Sequence, residues 1–421
     1  MRLVQASILL LVTLAAPAGA AVESEPTLPA ARLAAPGTPL SGPGWRVASP
    51  VPVRGYLGQF TLRTPQGEIA VQGRELLAIR IAEIPAVEQL EKVSRGDVFA
   101  ESIADSAKAT GRTVVRVVTN PVETIKGVPA GIGRLLKRTA ATVRNVAVTV
   151  GDAARRGGGD KPGDETEGDK ADAGEKASDF AAELAGVNKA RRALAKSMGI
   201  DPYTSNPLLQ ERLEDLAWAS VAGGLSLDLA LGAVDGFAAS VLSTTGELDD
   251  LVWSAYPADI KRQLEKDLVA RGAEPLAARE FLRNGAFTPT LQLAFVDALK
   301  ALGRPAGEAE VLALATRVRG EVHARFLIQQ LRMLARHVPA SDAVASLEAL
   351  EASIAATTRG GVRWVVLPVD HLSWTEQIEQ SAGGPAEKAP QLVVAGSVSD
   401  MARRELTRAG WNIKAGVGHV D

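Results

Sequence analysis

The sequence of 421 residues contains no cysteine. That absence excludes disulfides, thiolate metal sites, a cysteine nucleophile and a lipid-modified cysteine. Aromatic residues make up only 4%, so packing must rest on aliphatic side chains. Histidine is scarce too, with four residues at positions 323, 337, 371 and 419. None has the His-Glu-x-x-His spacing of zinc enzymes. His323 and His337 would lie about 21 Å apart on one helix at 1.5 Å per residue, too far to share an ion. No metal site is expected. Neither sign of charge is in excess, since 47 Lys and Arg face 49 Asp and Glu, a net charge of −2. No basic-aromatic surface, Walker loop or strand-following Gly-x-Gly-x-x-Gly is present, which argues against nucleic acid as a partner and against a nucleotide cofactor. No cofactor is expected. After the first twenty residues, no apolar run reaches the ~20 residues that span a bilayer.

What is present begins at the N-terminus. Arg2 is followed by an apolar run from Ile8 to Leu14 and by small residues at Ala18-Gly19-Ala20. This is the pattern of a secretory signal peptide cut after Ala20. It predicts an exported protein, periplasmic or associated with the cell envelope. Residues 21–48, rich in Pro and Ala, predict a mobile leader.

From Trp45 the texture changes. Residues 55–63 and 68–72 alternate in polarity around Pro65-Gln66-Gly67, which predicts a β-hairpin. Residues 76–93 carry a helical or mixed pattern interrupted at Pro85. Residues 49–156 therefore read as a hairpin plus amphipathic helices. Apart from Pro162, residues 157–178 hold only alanines as apolar side chains and read as a disordered acidic linker.

The region 179–360 reads as helical. Asn206-Pro207, Pro257, Pro275 and Thr288-Pro289 open helices, and glycines close them. Patterns over 305–337 and 341–357 extend the set. The tail, 361–421, switches to short apolar runs at 362–369 and 391–395, a helix at 400–409 and a further run at 411–415, a small βαβ-like unit. The expected fold class is mainly α, a helical bundle or irregular helical stack. A small mixed α/β portion would come from the tail, with or without the hairpin in the same sheet.

Two clusters are candidates for function. Residues 126–150 hold five basic and no acidic residues. At 100° per residue, Lys126, Arg134, Lys137, Arg138 and Arg144 share one face, opposite Ile132, Leu135, Leu136, Val143, Val146 and Val150. A basic amphipathic helix of this kind suits an anionic membrane surface or an acidic protein partner. The other reading packs its apolar face on the protein's own core. In the tail, Asp370 and His371 follow one strand, and Ser397 and Ser399 follow the next. Ligands sit at such strand ends in α/β sheets, so a hydrolase site is one reading. The Gly-x-Ser-x-Gly elbow is missing, and the alternative is that a serine caps the following helix.

The segments Ala190–Ala195, Gly199–Gln210, Leu367–Thr375 and Asp400–Ile413 resemble an uncharacterised family of exported bacterial proteins, over most of the chain after Ala20. The resemblance implies no known activity and no site residues. The sequence reading is thus a non-enzymatic envelope protein with a basic binding helix and a helical interaction scaffold. Its alternatives are an envelope hydrolase acting through the tail and a soluble periplasmic helical adaptor. Nothing in the sequence indicates an oligomeric state.

Overall fold

The computed structural model describes residues 22–94, 185–221, 247–382 and 388–419. The proposed signal peptide, the segment 126–150 and the acidic linker lie outside the described residues. Among the described residues the fold is mixed rather than mainly α, with 50% helix and 20% strand arranged in three sheets. This corrects the expected helical bundle or stack.

The first sheet is antiparallel and six-stranded. Its hairpin is formed by β5 (Leu57–Thr64) and β6 (Gly67–Gln72), with Thr64 opposite Gly67 across the Pro65-Gln66 turn. Strand alternation sends Gly58, Phe60 and Leu62 inward. On its other edge β5 meets β4 (Val51–Arg54) at one end and β3 (Trp45–Val47) at the other. The supposed leader belongs to this unit. Strands β1 (Thr27–Leu28) and β2 (Ser41–Gly42) extend the sheet, and Ala30 and Leu33 join the core formed by Val53, Phe60, Leu62 and Leu77. Its anchoring residues are too few for a periodicity to form, so burial over long range decides their order.

Among the described residues, four helices follow: Arg74–Ala82, Ile84–Ser94, 185–197 and Pro207–Val221. Pro85 stands in the first turn of the second, where its missing N–H costs nothing. Asn206 caps the fourth, accepting from Leu208 N at 3.2 Å. The last three helices share one cluster, in which Val87 and Leu90 pack with Leu194, Met198, Leu209 and Leu213.

Helices Glu247–Ser254, Pro257–Ala270, Pro275–Arg283, Pro289–Ala301, Glu308–Arg317 and Glu321–His337 build the central core around Phe281, Phe287 and Phe295. Proline occupies the first turn of three of them, as expected.

The stretch 341–357, expected as helix, holds β7 (Val344–Ala349) and β8 (Ile354–Thr358) instead. Its Ala, Leu and Glu content favours helix intrinsically. Pairing with β9 (Arg363–Leu367) overrides that preference and buries β8 almost completely. The sheet continues through β11 (Gln391–Val394) to β13 (Asn412–Ala415), with β9, β11 and β13 parallel. Helix Asp400–Arg408 links the last two, which is the expected βαβ unit.

The apolar run of β11 is explained by burial on both faces. Leu392 and Val394 join the cluster of Ala402 and Leu406, whereas Val393 and Ala395 face the core containing Leu327, Ile328 and Leu331. The hairpin and the tail do not share a sheet. They meet at Tyr56, whose carbonyl accepts from the backbone N–H groups of Asp370 and His371 at 3.0 and 3.1 Å.

Candidate functional site

The carboxyl ends of β9 and β11 bring the tail candidates to one place and then divide them. Beyond these strands, β10 (His371–Leu372) and β12 (Ser397–Val398) form a two-stranded parallel pair with His371 opposite Ser397. Successive side chains point to opposite faces, so Asp370 and His371 serve different environments.

Asp370 is fully buried. Its Oδ2 accepts from Gly58 N at 2.8 Å and its Oδ1 from Arg74 Nε at 3.0 Å. Arg74 N lies 3.2 Å from both oxygens, and Arg74 Nη2 donates to the Asp370 carbonyl at 3.0 Å. A carboxylate at the first residues of helix Arg74–Ala82 also complements the helix dipole. The clamp fixes the hairpin, that helix and the end of β9 together. Gly396 makes room for it: a Cβ there would come within 2.1 Å of the Asp370 carbonyl oxygen and 2.2 Å of Arg74 Nη2.

His371 is buried on the other side, with Nδ1 2.7 Å from Ser397 Oγ. Burial lowers its pKa; the charge of Glu23 opposes that shift and Arg32 adds to it. The ring is therefore neutral near pH 7. Among the described residues no carboxylate hydrogen-bonds the imidazole, so the arrangement is a dyad rather than a triad.

Ser399 takes a different position. Its Oγ accepts from Ala402 N at 3.0 Å, capping helix Asp400–Arg408, and it donates to Glu23 Oε2. The same carboxylate oxygen accepts from Trp374 N at 2.8 Å. Arg74 and Glu23 carried no sequence signal, because they act on residues 296 and 351 to 376 positions away.

Beneath the Asp370 clamp lies a cavity of about 30 Å³, lined by Arg74, Glu75, Arg325, Phe326, Asp370 and His419. Its size suits about one water, and the buried Nδ1 of His419 has no protein partner there. No group of His, Asp and Glu suited to a metal occurs among the described residues. His323 and His337 both lie on helix Glu321–His337.

A second buried polar cluster is built by residues 201–206. Glu83 accepts from Arg80 Nη1 at 2.8 Å and Asn206 Nδ2 at 3.0 Å, and also from Thr204 Oγ1. Ser205 reaches Glu321, which pairs with Arg325 at 2.8 Å, and Arg325 reaches Glu75 at 3.4 Å. Asp201 accepts from Tyr203 N and Thr290 Oγ1, both at 2.8 Å, and burial pushes its pKa up to about 6. The cluster ties the start of the chain to the helix underlying the second sheet.

Lys126, Arg134, Lys137, Arg138 and Arg144 lie outside the described residues. Comparison with protein families, curated proteins and solved structures finds no match.

Proposed function

We propose that this chain is an exported, cell-envelope interaction protein whose rigid body carries a membrane-binding segment at residues 126–150. The observation behind this reading is the placing of the two helices that flank 95–184. Leu90, before the segment, and Leu194, after it, are both completely buried in one cluster. The described residues on either side of the segment thus pack in one cluster. Its sequence couples an acid-free basic amphipathic stretch to a run of acidic residues, and each cation near an anionic bilayer contributes roughly 1 kcal/mol. The mixed α/β body, held by buried ion pairs, serves as its scaffold.

Flotation with anionic and neutral vesicles at low and high salt tests this. Binding to anionic vesicles alone, lost in salt and lost on charge reversal at Arg134, Lys137 and Arg138, is the expected result. Binding to an acidic protein but to no vesicle would replace the membrane with a protein partner. Binding to neither would return 126–150 to the protein's own core.

A second reading is an envelope hydrolase, favoured by the 2.7 Å contact of His371 with Ser397. Here Ser397 Oγ would attack an acyl carbon while His371 Nδ1 takes its proton and passes it to the departing alcohol or amine, and water would then hydrolyse the acyl-serine ester. Labelling by a fluorophosphonate, abolished in Ser397→Ala, would support it. Absence of labelling in the folded protein would leave the pair as a cross-strand contact.

A further inference from the structure

The helix over 185–197 places two adjacent arginines against the turn at 199–206 and the start of helix Pro257–Ala270. Arg192 is only 3% exposed, and its Nε and Nη1 are buried without an acceptor. Arg191 Nε is likewise buried without an acceptor, while its Nη2 donates to Asn188 Oδ1 at 3.1 Å. The buried Tyr203 hydroxyl lies beside Arg192, whose guanidinium interacts with it, but forms no hydrogen bond of full geometry. Neither arginine forms an ion pair among the described residues. Desolvated guanidinium groups without an anion are costly to keep in a fold, so the cluster is incomplete as it stands.

Two further features give it the character of a site. Aromatic faces fix both cations: Arg192 Cζ lies 4.6 Å from the Tyr256 ring centroid, and Arg191 Cζ lies 5.5 Å from that of Tyr203. Stacking holds a guanidinium plane while leaving its N–H edge free to donate. The carboxylates nearby do not meet that need. Asp201 and Glu214 act on Arg191 only through space, and Asp201 Oδ1 is already shared by Tyr203 N and Thr290 Oγ1.

We propose that Arg191, Arg192 and Tyr203 form a binding site for a phosphate-type oxyanion, entered beside the exposed edge of Tyr256. A tetrahedral dianion has oxygens for two guanidinium forks and a phenol at once, whereas a planar carboxylate matches one fork. Tyr256, stacked on Arg192, is itself 44% exposed. The site shares no residue with the segment 126–150 or with the His371–Ser397 pair.

Titration of the chain from Ala21 onward with inorganic phosphate, followed by calorimetry and phosphorus NMR, tests the assignment. Saturable binding of one phosphate is expected, with acetate binding more weakly. Arg192→Leu should abolish binding. Tyr203→Phe, which keeps the ring and its packing, should weaken binding about tenfold without lowering the melting temperature. Displacement of bound phosphate by phosphatidic acid vesicles would assign the phosphate to a lipid headgroup. Displacement by soluble glycerol phosphate alone would assign it to a soluble ester. No saturable phosphate binding, or binding that Tyr203→Phe leaves unchanged, would overturn the proposal.

Discussion

Buried charge is handled in two ways in this fold. At the Asp370 clamp and around Glu83, each guanidinium meets a carboxylate: Arg74 with Asp370, Arg80 with Glu83, Arg325 with Glu321. At Arg191 and Arg192, the cations stack on tyrosines, and Arg191 Nε, Arg192 Nε and Arg192 Nη1 are buried without an acceptor. A paired buried charge contributes little net stability but penalises every arrangement that separates the partners. It therefore acts as a locating device. An unpaired one gives the fold no such return, and its natural complement is a ligand.

The largest effect that sharpens this contrast is Asp370→Ala. It leaves Arg74 buried without a counter-charge and should cost about 3–5 kcal/mol in urea unfolding. A loss below about 1 kcal/mol would show that the clamp is not a structural device. Glu83→Gln comes next. It strips the charge facing Arg80 but keeps hydrogen-bonding capacity, so about 2–3 kcal/mol is expected. Combining it with Arg80→Met should recover part of that loss.

Asp201 offers a pH-dependent version of the comparison. Its folded pKa is about 6, above its ordinary 3.8. A raised pKa means the folded state holds the proton more tightly than the unfolded state. The associated stability is therefore complete below about pH 4 and lost as pH rises through 6. Asp201→Asn should stabilise the protein at pH 7.5 by about 1–3 kcal/mol and change little at pH 4. Equal effects at both pH values would mean that the carboxylate is not under desolvation stress.

Smaller again is Ser399→Ala, expected to cost about 1 kcal/mol through loss of the helix cap. Thermal melting of the variant measures it. Arg192→Leu should have the least effect, within about 1 kcal/mol of wild type, because no paired carboxylate is orphaned. A loss as large as that for Asp370→Ala would place Arg192 with the structural pairs and remove the contrast.

Local signals made part of this architecture legible. The hairpin at 57–72 follows from alternation around Pro65-Gln66-Gly67. The helices beginning at Pro207, Pro257, Pro275 and Pro289 follow from proline in the first turn, and the β11–helix–β13 unit follows from a change of period. Residues 21–48 read as a leader because Leu33 and Val47 stand too far apart to form a pattern, although both are buried. Residues 341–357 carry a composition that favours helix, and only neighbouring strands make 344–358 a hairpin. Of the tail candidates, Ser399 as a cap was legible from its place before Asp400. The commitment of Asp370 to Arg74 was not, since the partners lie nearly three hundred residues apart.

The sequence by itself determined the hairpin, the helix starts, the parallel strand pair of the tail and the absence of disulfide or thiolate chemistry. Each depends on residue type and spacing within a few turns of chain. Tertiary structure alone decided that the fold is mixed rather than helical, that His371 meets Ser397 while Asp370 turns away, and which buried arginines find a carboxylate. Those outcomes depend on which distant segments exclude water from one another, and burial of that kind leaves no local periodicity.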